Sequence, residues 1–195
     1  AHSFGFLLKP VDPEAIAKCE WLSVIERSSL PILVRTFKRG PSKRIQPYDP
    51  EQQTAYLELL QTAHSEDCLG CLWDNDSLRW QCETPGISDA WVYPKDDAPA
   101  GLIFATKHHL RGKTSIPVSL IEHVYWSRLS GAERRAFLAD FCAQKRQEGC
   151  ALIMAPSISA PNQWPFLANL FLPLGRKHEL RIWDLTGKGL LDGVK

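Results

Sequence analysis

One strand–helix–strand order is written twice in this chain, and that repeat constrains the fold more than any single motif. "FGFLLKPV" (4–11) is an apolar strand, "DPEAIAKCEWLSVIE" (12–26) a helix with Asp12 as cap and Pro13 at its first position, and "LPILVRTFK" (30–38) a second strand. Near the other end, "CALIMAPSI" (150–158) is a short apolar run bounded by Gly149 and Pro161. "NQWPFLANLFLPLG" (162–175) then offers a helix start at Asn162 and a stop at Gly175, and "HELRIWDL" (178–185) alternates like a strand. The copies match in order and length, and each leaves through a basic, Gly-containing exit, which is an internal repeat at long period. A short helix cannot bury its own face. The N-terminal copy carries Phe4, Phe6, Leu7, Leu8, Trp21, Leu22, Ile32 and Leu33, too much apolar surface to leave in water. Residues 4–38 are therefore expected to pack as an ordered unit, on the missing part of a first domain or on a surface of the second.

Between the copies, "RGPSKR" (39–44) is a Gly/Pro/Ser linker with positive charge and marks a domain boundary. After it, "KRIQPYDPEQQTAYLELLQTAHS" reads as a short strand, a turn at residues 48–50 and a helix with Tyr56, Leu57 and Leu60 on one face. "DSLRWQCETPG", "DAWVYPKDDAPAGLIFATKHHL" and "VSLIEHVYW" are read as strands, the middle one a hairpin. "GAERRAFLADFCAQKRQEG" predicts an amphipathic helix with Ala136, Phe137, Phe141 and Ala143 inward. Its wetter side carries Arg134, Arg135, Lys145 and Arg146, and Gly149 stops it.

The chain has 195 residues and is 44% hydrophobic, enough for one α/β domain of ordinary size plus a remnant of another. With 23 Lys and Arg against 22 Asp and Glu, the net charge of +1 gives no reason to expect nucleic acid or an acidic membrane surface as partner. No window approaches the ~18 apolar residues of a membrane span, and "AHSFGFLLKP" lacks the marks of a secretory signal, so a cytoplasmic setting is expected. The only methionine is Met154, so the chain reads as processed or as a piece of a longer one. The six cysteines lie among apolar neighbours and are read as reduced thiols. His64, Cys68, Cys71 and Cys82 form a candidate zinc set, but Cys82 has no partner near it and Leu69 and Leu72 favour core packing, so no metal site is expected.

From residue 43 the order is strand, helix, antiparallel strands, long helix, strand, helix, strand. With "RIQPYDPEQQTAYLELL" opening, "APAGLIFAT" in the hairpin and "LPLG" before the final strand, the chain resembles the GNAT acyltransferase superfamily over residues 43 to 186. "DSLRWQCETPG" is also similar to the "LRWRY"-type segment of a GNAT subgroup with two such domains in tandem. The resemblance implies an α/β fold with a mixed, centrally splayed sheet flanked by helices. It divides the chain into 1–38, the strand-helix-strand end of a preceding GNAT-like domain; 39–44, a linker; 45–186, a GNAT-like domain; and 187–195, a tail. It further implies acetyl-CoA or another acyl-CoA as cosubstrate, an amine acceptor, and a homodimer or intramolecular domain pairing.

In that superfamily a loop of pattern Gln/Arg-x-x-Gly-x-Gly/Ala holds the pyrophosphate on backbone N–H groups at a helix N-terminus, where the helix dipole favours an anion. Here Arg128 and Gly131 fall on the first two fixed positions, and Glu133 stands at the third. Glu133 would compete with phosphate for those N–H groups. Ser130 and Glu133 also match a capping box, which needs no ligand. The resemblance carries over Val124, Tyr125, Trp126, Arg128, Ser130, Gly131, Ala132 and Asn162 as cofactor-contacting positions. A family acid, Tyr four residues before the final-helix Gly, is replaced by Phe171 before Gly175. Substitutes for base and acid are Glu122, His123 and Tyr125, on the strand that would border the splay. Strand alternation predicts His123 and Tyr125 on one face and Glu122 on the other. "KHHLRGK" (107–113) is read as a basic loop, and the tryptophans as core and interface mass. Against the transferase stands a non-catalytic GNAT-like module that supports a neighbouring domain or partner.

Overall fold

An apolar run with no polar alternation is buried on both faces, and such a strand belongs at the centre of a sheet. In the computed structural model, which describes residues 2–17, 44–64, 73–111, 114–157, 163–173 and 178–180, this is β5 (Ala98–Arg111), buried from Pro99 to Thr106. It pairs antiparallel with β4 (Ser88–Lys95) through a two-residue turn at Asp96 and Asp97, both at positive φ, the geometry that lets a tight hairpin follow the strand twist. On its other side lies β6 (Ser115–Tyr125), also antiparallel. The helix after β6, α4 (Gly131–Gln147), returns the chain to β7 (Leu152–Pro156), which therefore runs parallel to β6.

At the edge, β3 (Gln46–Pro47) pairs with β4. On the far side of β7 sits β2 (Phe6–Pro10), antiparallel to β7 and to β8 (Leu172–Pro173). Among the described residues the sheet order is β3-β4-β5-β6-β7-β2-β8, so the N-terminal strand β2 shares a sheet with the strands of 45–186. A two-stranded sheet joins β1 (His2–Phe4) to β9 (His178–Leu180).

Two layers of helix cover the main sheet. On one face α2 (Gln53–His64) and α3 (Asn75–Glu83) bury Tyr56, Leu59, Leu60 and Leu78 against Val92, Leu102, Phe104 and Tyr125. On the other, α4 and α5 (Trp164–Ala168) bury Phe137, Leu138, Phe141 and Phe166 against Ile103, Ala105, Ile121, Ile153 and Leu7. A smaller cluster brings Ile16 of α1 (Pro13–Ala17) onto Val118 and Leu152. Asp12 caps α1 as expected, its Oδ1 accepting from the N–H groups of Glu14 and Ala15 at 2.9 and 3.2 Å.

Several expectations change. "DSLRWQCE" is helix α3 and not a strand. Asp74 and Ser77 form a reciprocal capping box, and Leu78 and Gln81 face the core at helical spacing. "KHHLR" is no loop: residues 107–111 continue β5, paired with β6 down to Arg111 and Ser115. The helix expected over 162–175 is α5 alone, ended by Leu170 at φ 59 and followed by β8. Lys145, expected on the wet side of α4, is 1% exposed, because its ammonium pairs with Asp89 of β4 and with Glu148 and lies over the Trp91 ring. Trp80 and Trp164 are 71% and 63% exposed and contribute no core mass. The second strand of the N-terminal copy, residues 39–43, Cys68, Cys71, the side chain of His64, Asn162 and Gly175 lie outside the described residues. Among those described, Cys82, Cys142 and Cys150 are free thiols, and no helix is long and apolar enough to cross a membrane.

Candidate functional site

The parallel pair β6–β7 is in register only at Val118–Leu152, Ser119–Ile153 and Leu120–Met154. Beyond Leu120 the two strands part: β6 stays with β5 to Tyr125, while β7 stays with β2 to Pro156. The sheet divides here between β6 and β7. A β-bulge coincides with the division. Phe104 pairs with His123 and Ala105 with Ile121, leaving Glu122 as the extra residue of β6. A bulge bends its strand and re-aims one side chain, and this one sits where β6 leaves β7.

The bulge overturns the alternation expected for Glu122. Its carboxylate lies on the α2–α3 face: Oε2 accepts from Gln81 Nε2 of α3 at 2.6 Å, and Oε1 from Thr106 Oγ1 of β5 at 3.2 Å. His123 and Tyr125 occupy the same face, so the three candidates for proton transfer lie on one side of the sheet. Tyr125 Oη accepts from Trp73 Nε1 at 2.9 Å. The rings of Trp73, Phe104, His123 and Tyr125 form one cluster, with Trp73 at 5.0 Å from Phe104 and 5.6 Å from His123.

Because α4 follows β6 directly, its N-terminus opens at the splayed end of the strands. The loop is held from below. Trp126 and Leu129 carbonyls accept from Arg134 Nε at 3.1 and 2.8 Å, and Trp126 packs on Phe166 at 5.7 Å. Gly101 lies beneath: a Cβ there would stand 2.8 Å from Leu129 Cδ1 and 3.0 Å from the Phe137 ring, so any side chain at this position would push Leu129 and Phe137 away from β5. Ser130 and Glu133 form the capping box, Ser130 N–H donating to Glu133 Oε2 at 2.7 Å and Glu133 N–H to Ser130 Oγ at 3.3 Å. From the β4–β5 hairpin, Lys95 Nζ reaches Glu133 Oε1 at 2.9 Å. That hydrogen bond, then those from Ser130, holds the Glu133 carboxyl at about 2. Gly131 has open space around its α-carbon, so a ligand can approach its backbone. Arg128 donates to Thr62 Oγ1 of α2 at 3.3 Å.

The other expected contact positions divide between faces. Val124 and Trp126 point to the α4–α5 side, Tyr125 to the opposite side, and Ala132 is exposed on the first turn of α4. Phe171 is buried against Phe166 and offers no proton. Sequence reasoning passed over Trp73, Gln81, Thr106 and Lys95. Only Thr106 carried a signal, a hydroxyl two residues from His108 on a strand. A cavity of about 340 Å³ lined by Tyr48, Cys82, Asp89, Trp91, Lys107 and Glu148 lies at the C-terminal end of α4 and includes no residue of the splay.

No family model matches the chain, and no curated protein sequence is similar to it. Solved structures are similar in fold. N-myristoyltransferase of Saccharomyces cerevisiae with bound myristoyl-CoA superposes with TM-score 0.72 at 9% identity, over 90% of this chain and 46% of that one. The chain thus spans under half the length of that enzyme. A ribosomal-protein-alanine N-acetyltransferase from Brucella melitensis biovar Abortus 2308 gives TM-score 0.57 at 9% identity, over 72% of this chain and 97% of that one. An aminoglycoside acetyltransferase from an uncultured soil metagenomic sample, in complex with sisomicin, gives 0.51 at 11% identity, over 72% and 93%. The fold of the chain is the GNAT fold, a mixed sheet flanked by helices.

Proposed function

We propose that this GNAT-fold chain is an acyl-CoA-dependent N-acyltransferase whose donor enters between the splayed ends of β6 and β7. The observation that carries this is the coincidence, within five residues of β6, of the end of its pairing with β7, the bulge that presents Glu122, and the approach to the α4 N-terminus. Ligands of open α/β sheets bind outside the carboxyl ends of parallel strands where the sheet divides. The backbone of Val124, Tyr125 and Trp126 would border the pantetheine, and Arg128, Ser130, Gly131 and Ala132 the pyrophosphate. Asn162 is assigned to the same donor by resemblance.

Glu122 would take a proton from the acceptor ammonium, and the neutral amine so formed attacks the thioester carbonyl carbon. Collapse of the tetrahedral intermediate breaks the carbon–sulfur bond as Tyr125 gives its proton to the departing thiolate, and the proton still on the amide nitrogen returns to the Tyr125 oxygen, leaving an amide, a free thiol and one proton on Glu122. The Trp73 N–H donated to Tyr125 Oη favours the phenolate formed in between. His123, stacked on Tyr125, is the alternative proton carrier. Residues 1–38 are assigned to the end of a preceding GNAT-like domain whose strand β2 is shared into the sheet of 45–186, between β7 and β8. The acceptor is an amine of unassigned identity, and the setting cytoplasmic.

One observation favours a non-catalytic module instead: Glu133 already occupies the Ser130 N–H and the Lys95 ammonium at the helix end where a pyrophosphate would sit. Calorimetric titration with acetyl-CoA and myristoyl-CoA separates the two. Saturable binding of either supports the transferase; no heat with both ends it, because a chain that does not bind donor cannot transfer from it.

A further inference from the structure

A base that accepts a proton in every turnover must lose it again, and Glu122 is only half-exposed, bound on one oxygen by Gln81, which is 8% exposed. Its other oxygen leads outward. Thr106 Oγ1, on the neighbouring strand, donates to Glu122 Oε1 at 3.2 Å and lies 2.8 Å from His108 Nε2. Thr106 and His108 are two residues apart on β5 and so share a face. Thr106 is 7% exposed, and β5 is exposed from Lys107 onward, so these two side chains span the boundary between core and solvent.

We propose that His108 is the proton outlet of Glu122, reached through the Thr106 hydroxyl. This rests on the assignment of Glu122 as the base. After Glu122 has taken the amine proton, its carboxyl O–H becomes the donor to Thr106 Oγ1, the Thr106 hydroxyl turns from Glu122 to a bare His108 Nε2, and each proton moves one step outward. The imidazolium releases its Nδ1 proton to water, and no net charge stays in the core. The exposed ring regains the Nδ1–H tautomer by exchange with solvent. Gln81 is a positioning residue, fixing the carboxylate so that Oε1 faces Thr106.

The test follows thiol release from acetyl-CoA with a panel of small primary amines and unblocked peptides. Glu122→Gln should lower kcat by roughly a hundredfold or more. Thr106→Val and His108→Ala should each lower kcat by roughly tenfold with the KM for acetyl-CoA unchanged, and combining them should add little to Thr106→Val alone. Thr106→Ser, which keeps the hydroxyl, should retain the wild-type rate. Imidazole in the buffer should restore His108→Ala and leave Thr106→Val slow, a difference that a merely structural role cannot produce. If Glu122→Gln is crippled while His108→Ala and Thr106→Val turn over normally, or if imidazole restores neither or both, the relay is wrong and the base stands. An unaffected Glu122→Gln, or a wild type without turnover, overturns the base and the relay together.

Discussion

Lys95 Nζ and Glu133 Oε1 lie 2.9 Å apart, tying the turn end of the β4–β5 hairpin to the first turn of α4. The same carboxylate accepts from Ser130 N–H, so one side chain both caps the helix and anchors the hairpin. Glu133→Ala removes both contacts and should lower Tm. It also removes a negative charge from the proposed pyrophosphate position and releases Lys95, so CoA affinity should rise under the transferase assignment. Measured side by side by thermal melt and calorimetry, a lower Tm with no gain in affinity would remove the loop as a phosphate site.

The same pair sets a pH dependence. The folded-state value of Glu133 is depressed from 4.5 to about 2, so its contribution is fully present above about pH 4.5 and is lost as pH falls toward about 2. The Tm difference between wild type and Glu133→Gln should be constant near neutrality and close across that acid window. A difference that persists unchanged at pH 2 would show that the carboxylate charge is not its source.

Gly101 and Gly131 should respond oppositely to alanine. At Gly101 the new methyl meets Leu129 and Phe137, which should cost about 1–3 kcal/mol through overpacking. At Gly131 nothing stands within 4 Å, so stability should hold or rise slightly with the better helix former. If Gly131 marks where the backbone meets pyrophosphate, Gly131→Ala should nevertheless weaken CoA binding. Unchanged affinity in a stable Gly131→Ala would take Gly131 out of the site.

Lys145 ties the C-terminal end of α4 to β4 through Asp89, which also accepts from Trp91 Nε1 at 2.7 Å. Lys145→Met leaves the Asp89 carboxylate buried without its ammonium and should destabilise by about 3–5 kcal/mol. Replacing both, Lys145→Met with Asp89→Asn, should recover much of the loss. Equal denaturant midpoints for the single and double variants would mean the buried charge is not the cause.

Tyr125→Phe deletes the acceptor of the Trp73 N–H and should cost about 1 kcal/mol of stability. As the proposed acid, its loss should lower kcat while leaving acetyl-CoA affinity intact. A full kcat in a stably folded Tyr125→Phe would move the acid role to another group, with His123 the next to test.

Periodicity and capping chemistry act within a few residues, and there the sequence by itself was decisive. Asp12 with Pro13, Ser130 with Glu133 and the hairpin with its apolar second strand are legible because each is satisfied by its own neighbours, whereas the hairpin loop, read over 94–100, closes to a two-residue turn at Asp96 and Asp97. The short strand at 46–47, the helix from Gln53 and the long helix α4 follow from the same local signals. "DSLRWQCE" reads as a strand because Leu78 and Trp80 also alternate; the Asp74–Ser77 capping box and the burial of Leu78 and Gln81 at helical spacing make it a helix.

What the tertiary structure decided are relationships between residues far apart in the chain. Glu122 faces Gln81 and Thr106 because one extra residue in β6 is absorbed as a bulge against β5, and no one-strand pattern states which residue a pairing leaves out. Lys145 is buried because Asp89 of β4, fifty-six positions earlier, meets it where α4 packs on the sheet. The splay itself exists because β6 is committed to β5 and β7 to β2, two pairings whose competition is settled only when the strands are assembled. Local free energies of caps and turns are written in the sequence; the choice among long-range pairings depends on burying every apolar face at once, and that sum is evaluated only in the folded chain.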